Sequence, residues 1–367
     1  MRLFMDSIDT LDVLVVYSAS MAESASVSDV KSKHPFLLSS RQADYNLPYA
    51  YLLQNCELNG MSAGFTTSAD ITGPGTCKNY WTAIDGQWAK ITSSAQSFQI
   101  FDKILPVSPV RTAERQLLLS DPNIIPFNDA ELLLTFCDKL LTFKKLPEYA
   151  IPTVGIHSSS QKAIATSIFK LKQQVAQARF AEDFSHQYVL KDRYGAGGNH
   201  VYKIKTSFVK AIQTIVVQNP SVEFVLQPFL LFDQGFEYNN QRTSTDIRLL
   251  FHHNQLFQCY LRMAKTNDFR CNEHQGGQLV YIDTSNVPEN IYTIAEKIVK
   301  KINKPQALYA LDFAVSNAGR IYLVEGNIGP GIDWDVTKVV NEKKSKQLIR
   351  SIVKEFAHRK SYPLSTL

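Results

Sequence analysis

LDFAVSNAGRIYLVEGN, residues 311–327, alternates apolar with other residues on both sides of a short Asn-Ala-Gly break. Period-2 alternation flanking the Asn317–Gly319 turn predicts a β-hairpin, and a hairpin brings Asp312 beside Glu325 and Asn327 on one face. Oxygen donors grouped in this way suit Mg²⁺, a hard cation that takes one or two carboxylates and completes its shell with water and phosphate oxygens. A solvated face is the plain alternative. Against it, Asp312 lies inside YALDFAV, where an unpaired carboxylate is costly to bury.

Upstream, KDRYGAGGNHV, residues 191–201, sets Lys191 at a strand end ahead of Gly195, Gly197 and Gly198. Glycine lets backbone N–H groups approach phosphate oxygens closely, and a nearby ammonium offsets their charge. Gly-rich turns between strands are common, so this signal is weak by itself. It is no Walker A loop, lacking GK[ST], and no GxGxxG fingerprint, because His200 stands where the last glycine belongs. Between the two stretches, Asp246–Gly277 interleaves Asp246, Arg248, Arg262, Lys265, Arg270 and Asn272 with apolar strands. These donors suit a nucleotide and a transferring phosphoryl group, with ordinary surface charge as the alternative.

Outward from these stretches the patterning describes a mixed α/β chain. LDVLVVY, residues 11–17, follows Asp6, Asp9 and Asp12 rather than a basic segment, and predicts a buried strand instead of a signal peptide. The Ser-rich stretch from Ser18 to Ser40 reads as a long loop or an exposed excursion. Pro48–Asn59 fits a helix closed by Gly60, and SAGFTT follows as a second strand, a β-α-β start. Asp85-Gly86 between KNYWTAI and QWAKI predicts a tight hairpin inserted in the first domain. DAELLLTFCDKLLTFKKL predicts helix ending at Pro147, and AIPTVGI a short strand. The helix begun at Ser158 carries Ile164, Ile168, Leu171 and Val175 on one face. An antiparallel sheet interrupted by a helix over Glu289–Ile302, then a terminal helix over about Glu342–His358, completes the pattern. The expected division is 1–128 and 129–367, the latter split into 129–230 and 231–367.

A chain of 367 residues has room for two or three domains. Its 39 basic against 34 acidic residues leave a charge of +5, too weak for a dedicated nucleic-acid binder. Five cysteines (56, 77, 137, 259 and 271) without a CxxC pair argue against a disulfide framework or a zinc ribbon. No run approaches the ~18 apolar residues of a membrane span. A soluble, cytoplasmic protein with no nucleic-acid or membrane partner is expected, its oligomeric state open.

The order of these motifs resembles the ATP-grasp carboxylate-amine ligases, nearest the RimK-type alpha-L-glutamate ligases, over about Asp129–Asp335. FCDKLLTFKKLPEYAIPTV resembles the family's DK-helix and Pro-Thr strand, QYVLKDRYGAGGNHV its second lysine and Gly-rich loop, and VLQPF its hinge. DIR, RMAK, DFRCNEHQGG, LDFAV and VEGNIGPG follow in the family's order. The resemblance implies an ATP-grasp fold behind an N-terminal Rossmann-like domain, which residues 1–128 match in outline.

It also implies roles. Lys139 and Lys191 would contact ATP phosphates under the loop of Gly195, Gly197 and Gly198, while the backbone of Gln227, Pro228 and Phe229 would read adenine. Asp246, Lys265, Arg270 and Asn272 would lie at ATP or the acyl phosphate, and Arg262 would stabilise the transferred phosphoryl, making Arg262 and Arg270 the catalytic candidates. Asp312, Glu325 and Asn327 would hold Mg²⁺, with Mn²⁺ as the substitute, and Gly329–Gly331 would help form the acceptor pocket. Three positions depart from the family pattern: Pro228 replaces an acidic hinge residue, His200 a loop glycine and Gly326 an aliphatic residue. The implied activity joins a small carboxylate substrate to an amine through an acyl phosphate, releasing ADP and phosphate. An amino acid or small peptide is the expected substrate. Addition of an amino acid such as glutamate to a peptide or protein acceptor is the alternative, and a non-catalytic ATP-binding module a third. Cys271, beside Arg270, gains thiolate character if it is exposed and stays inert if it points into a sheet.

Overall fold

A computed structural model describes residues 8–28, 32–178, 180–332 and 338–361; Asp335, the far end of the resemblance, and residues 29–31 of the Ser-rich stretch lie outside them. The chain divides into two compact units, Met1–Ala130 with Gly331–Leu367, and Glu131–Pro330. The expected second domain ran on to residue 367, whereas the last segment groups with the first unit.

In the first unit, β1 (Val13–Tyr17), β2 (Ala63–Thr67), β3 (Tyr80–Ile84), β4 (Gln87–Ile91), β5 (Gln99–Lys103) and β6 (Ile125–Phe127) form one sheet in the order β6-β5-β1-β2-β3-β4. The first four of that order run parallel and β3–β4 adds an antiparallel hairpin, so the Rossmann-like expectation holds. Asp85 and Gly86 both take positive φ, 49° and 75°, as a two-residue hairpin of matching twist requires. Helices α1 (Asn46–Leu58) and α2 (Pro109–Leu118) lie in this unit. The Ser-rich stretch is not an exposed excursion. Asp70, fully buried, accepts hydrogen bonds from the Ser24 and Ser26 hydroxyls and the Ala25 N–H, and Phe36, with no exposed surface, packs edge-on to Tyr17 and Phe65. One buried carboxylate and one ring thus fasten a segment whose composition reads as loop.

The second unit opens with two helices where one was expected. α3 (Ala130–Cys137) stops at Asp138, whose carboxylate accepts from the N–H groups of Leu140 and Leu141 and begins α4 (Lys139–Lys145). β7 (Val154–Ile156), β8 (Phe184–Asp192), β9 (Val201–Ile204) and β10 (Phe224–Leu230) form an antiparallel sheet in the order β7-β10-β8-β9. Helices α5 (Gln161–Gln177) and α6 (Phe208–Gln218) cover one face through Ile164, Leu171 and Ile212. β11 (Thr245–His252), β12 (Gln255–Met263), β13 (Gln278–Ile282), β14 (Leu308–Val315) and β15 (Ile321–Asn327) make a second antiparallel sheet, order β13-β12-β11-β14-β15. Its core packs Ile247, Leu249, Leu311 and Phe313 with residues of α3 and of α7 (Glu289–Ile302). The terminal helix α8 (Val339–Ser361) belongs to the first unit.

Gly326 explains one departure. A Cβ there would sit 2.2 Å from the ring of Phe136, so α3 fills with an aromatic side chain the space an aliphatic residue would occupy. Gly326→Val is expected to cost about 1–3 kcal/mol through overpacking, and Gly326→Val with Phe136→Ala to recover part of it. Equilibrium denaturation of both variants checks this; an unaltered midpoint for the single variant would refute the contact's tightness.

Candidate active site

Period-2 alternation in the five-stranded sheet sends apolar residues to the core and charges to the opposite face. On β11, Ile247 and Leu249 go to the core, while Asp246 and Arg248 share the other face. Arg262 of β12 stands opposite Asp246 and Asp312 of β14 opposite Arg248. Four charges therefore meet on three neighbouring strands. Arg262 clasps Asp246 through Nε at 2.7 Å and Nη2 at 2.9 Å, and Nη2 also donates to Asp312 Oδ2 at 2.5 Å. Arg248 clasps Asp312 through Nε and Nη2, both at 2.6 Å. All four residues are buried, Asp312 at 1% exposure. This answers the question Asp312 raised within YALDFAV: its burial is offset by two guanidinium groups.

Burial pushes the Asp312 carboxyl up, but Arg248 and Arg262 together outweigh it and hold it below the usual carboxylate range. Asp246, with Arg262 alone as its close partner and Asp312 as a like charge, is raised, chiefly by burial.

Across the pocket, Asp138 positions Lys139. Besides capping α4, its carboxylate receives Arg193 Nε at 2.8 Å and Nη2 at 2.6 Å, which pins the helix start to the strand that leads into the Gly-rich loop. Lys139 Nζ donates to the Gly195 carbonyl at 2.5 Å and lies 3.3 Å from Glu325 Oε1. Lys191 differs. Among the described residues it has no hydrogen bond or ion pair, and desolvation of its ammonium lowers its pKa to about 8, with Glu325 opposing and Lys139 adding to the fall. Gly197 and Gly198 take φ of 68° and 75°, and His200 takes 49°, keeping the left-handed turn that a glycine would make.

Lys139, Lys191, Gly195, Gly197, Gly198, Gln227, Pro228, Phe229, Asp246, Arg262, Arg270, Asn272, Asp312 and Glu325 all line one pocket between the two sheets of this unit. Lys265 and Asn327 do not: Lys265 is exposed on an adjoining groove, and Asn327 turns its Oδ1 to the Gly329 N–H at 3.0 Å. Arg270 is tied to Asp268 at 2.9 Å. At the hinge, Gln227 donates to Thr153 Oγ1 at 2.8 Å, while its buried Oε1 has no partner among the described residues. Pairing with β7 ends at Leu226, so Pro228 sits where one side of β10 has no strand neighbour and a missing N–H is tolerated. Cys271 is buried, its Sγ 3.3 Å from the Ser244 carbonyl, and burial pushes its thiol well above the usual range; of the two readings of this thiol, exposed or inward-pointing, the structure has the inward-pointing one. The five cysteines form no disulfide. Sequence patterning alone did not single out Asp138 or Arg193, although Asp-Lys ahead of an apolar helical run carries a capping signal.

A divalent cation has a donor set available. Asp312 and Glu325 are directly opposed across β14 and β15, and Asn327 follows two residues on. A carboxylate offers about four lone-pair positions; the two guanidinium groups take both at Oδ2 and one at Oδ1 of Asp312. One position on Asp312 and the half-buried Glu325 therefore remain for a hard cation.

A family model described as a RimK-like ATP-grasp domain matches residues 143–352. A search of curated proteins by sequence returns no match. Among solved structures, D-alanyl-alanine synthetase A from Vibrio cholerae is similar at 13% identity and TM-score 0.57, covering 95% of this chain and 98% of that one. A RimK domain ATP-grasp protein from Sphaerobacter thermophilus matches at 12% and 0.51, over 93% and 98%. The ATP-grasp ligase PsnB, complexed with a phosphomimetic variant of a minimal precursor, Mg and ADP, matches at 10% and 0.53, over 95% and 100%. Among the described residues no helix is long and apolar enough to cross a membrane.

Removing Arg248 leaves Asp312 with one guanidinium. Arg248→Met is expected to destabilise the protein by about 3–5 kcal/mol, and Arg248→Met with Asp312→Leu by much less, since the second change removes the stranded charge. Thermal and chemical denaturation of the pair tests this; equal losses in both would contradict the clasp.

Proposed function

Because the chain belongs to the RimK-like ATP-grasp family and is an ATP-grasp ligase, we propose that it activates a carboxylate with ATP as an acyl phosphate and passes the acyl group to an amine, forming an amide and releasing ADP and phosphate. The observation that carries this reading is Lys191, a desolvated ammonium without a partner among the described residues, set in the same pocket as Lys139, the Gly-rich loop and Glu325. A lone buried cation is costly unless an anion completes it, and a nucleotide triphosphate supplies that anion.

In this reading Lys139 and Lys191 hold the phosphates under Gly195, Gly197 and Gly198. Adenine lies along Gln227–Phe229, where the open Gln227 Oε1 accepts from an exocyclic amine. Asp246 acts as a positioning residue: it fixes the Nε–Nη2 edge of Arg262, whose Nη1 has no hydrogen bond among the described residues and can donate to the phosphoryl group in transit. Arg270 and Asn272 flank the same phosphates, and Lys265 takes no part in the pocket. Asp312 and Glu325 would hold Mg²⁺, which supplies charge neutralisation on the phosphates, while Asn327, turned to the Gly329 N–H, lies outside the pocket. The substrate's carboxylate oxygen attacks the γ-phosphorus and the bond to ADP breaks. The amine nitrogen then attacks the acyl carbon, phosphate leaves, and the nitrogen loses a proton. The chain's work is positioning and exclusion of water, with no covalent side-chain intermediate.

An amino acid or small peptide fits the small-molecule reading. The peptide-acceptor reading has support from the precursor bound to PsnB.

Turnover is expected to yield ADP and inorganic phosphate, separable by ion-exchange chromatography across a panel of amino acids, dipeptides and peptides; AMP with pyrophosphate would refute the acyl-phosphate route. A second expectation concerns pH. Binding an anion beside Lys191 raises its pKa from about 8, so nucleotide binding takes up a proton once the free ammonium titrates. Affinity for MgATP should therefore fall as pH rises above that value, by up to about tenfold per unit. Lys191→Arg should flatten the profile over the same range, because guanidinium stays charged. Calorimetric titration from pH 7 to pH 9.5 tests this, and an equally steep profile in the variant would assign the effect elsewhere.

A further inference from the structure

A second, larger depression of about 1560 Å³ adjoins the nucleotide pocket in the same unit and shares Val201, Phe229, Phe232, Phe269 and Arg270 with it. Six consecutive residues, Val201–Thr206, line it. Successive side chains on a strand point to opposite faces, so an unbroken lining of this kind means that the groove runs along the strand's edge. β9 is the outermost strand of its sheet. Its outer backbone N–H and C=O groups are available to pair with another extended chain.

Charge selects the chain that would pair. Lys203, Lys205, Arg242, Lys265 and Arg270 line the groove against Asp233 and Asp268. Asp268 is satisfied by Arg270 at 2.9 Å, and Arg242 by Glu237 at 2.8 Å. Among the described residues, Lys203, Lys205 and Lys265 have no ion pair. Lys203 instead lies 3.3 Å from the centroid of the Phe229 ring, which stands edge-on to Phe269. We propose that this groove binds an acidic peptide segment in extended form, added to the edge of β9, with its carboxylates on Lys203, Lys205 and Lys265. The proposal rests on the ligase reading and narrows its peptide-acceptor form. A strand edge pairs with a polypeptide backbone and has nothing equivalent to offer a polynucleotide, while Asp233 and Asp268 disfavour an unbroken run of phosphates. Four residues of β9 match a peptide stretch of about 13 Å.

The test uses the full chain without turnover. Fluorescence anisotropy would compare a labelled ten-residue peptide alternating Glu and Thr with the same peptide carrying Gln for Glu, and with a version N-methylated at alternate residues. The Glu peptide is expected to bind at least tenfold more tightly than either, with the margin shrinking as salt rises. Lys205→Glu with Arg242→Glu, neither in the nucleotide pocket, should lower its affinity tenfold or more and leave MgATP affinity intact. Equal binding of the Glu and Gln peptides, indifference to N-methylation, displacement by MgATP, or tighter binding of a single-stranded oligonucleotide would each overturn the proposal. MgATP titration on the same protein separates the two readings: loss of nucleotide binding refutes the ligase site, whereas normal nucleotide binding without acidic-peptide preference refutes only the groove.

Discussion

Asp312 is the residue around which the charged face of the five-stranded sheet is built. A carboxylate at 1% exposure survives in the middle of an apolar strand only because Arg248 reaches it from the adjacent strand β11 and Arg262 from β12, one strand further on. Each guanidinium constrains strand register, because a one-residue slip would turn its side chain to the core face and strand both partners. The clasp thus does two things at once. It fixes β11, β12 and β14 relative to one another, and it presents Arg262 Nη1 and a remaining Asp312 lone pair toward the pocket. A buried ion pair is a poor way to gain stability against a hydrophobic replacement of the same size. Its presence here is better understood as positioning than as glue.

The pocket is electrostatically unfinished on its other side. Lys139 has both the Gly195 carbonyl and Glu325 as partners, whereas Lys191 depends on longer-range attraction to Glu325 and Asp246 and suffers the repulsion of Lys139. Two ammonium groups and one nearby carboxylate leave a positive excess at the loop, the sign a polyphosphate needs. A metal ion shared by Asp312 and Glu325 would enlarge that excess, so nucleotide and cation are expected to favour each other's binding.

Much of this was legible from local pattern. The hairpin around Asn317–Gly319 and the Asp85-Gly86 hairpin follow from period-2 alternation and turn chemistry, and both depend only on neighbours in sequence. Most of the residues lining the pocket were reached through the resemblance of the motif order to the ATP-grasp ligases, which also pointed to Lys265 and Asn327, two residues that do not line it. What local pattern does not contain is the identity of distant partners. Nothing near Asp70 says that Ser24 and Ser26 fold over it, and nothing near Gly326 announces Phe136, 190 positions earlier in the chain. Arg248 was visible as a cation among apolar residues, but its pairing with Asp312 spans 64 residues and needs the sheet order to be known. Asp138 illustrates a milder failure. The helical period continues through it, and only the competition of its carboxylate for the next N–H groups breaks the run into α3 and α4.

Face and edge divide the labour of the four-stranded sheet. Lys191 and Gln227 extend from the face toward the five-stranded sheet, where alternation and packing leave little freedom. The groove lies along the outer edge of β9, where side chains such as Lys205 are exposed and unconstrained by a core. Substitution on the face disturbs the chemistry; substitution on the edge alters only what can lie beside it. In the proposed reading, phosphoryl transfer is tied to buried charges that cannot vary independently, while acceptor choice is delegated to surface cations that can. An edge strand would invite non-specific pairing with other chains if it were long and apolar, and the four residues of β9, with Lys203 in it and Lys205 just beyond it, limit that hazard by length and by charge. The same charge that blunts aggregation is what would admit an acidic peptide.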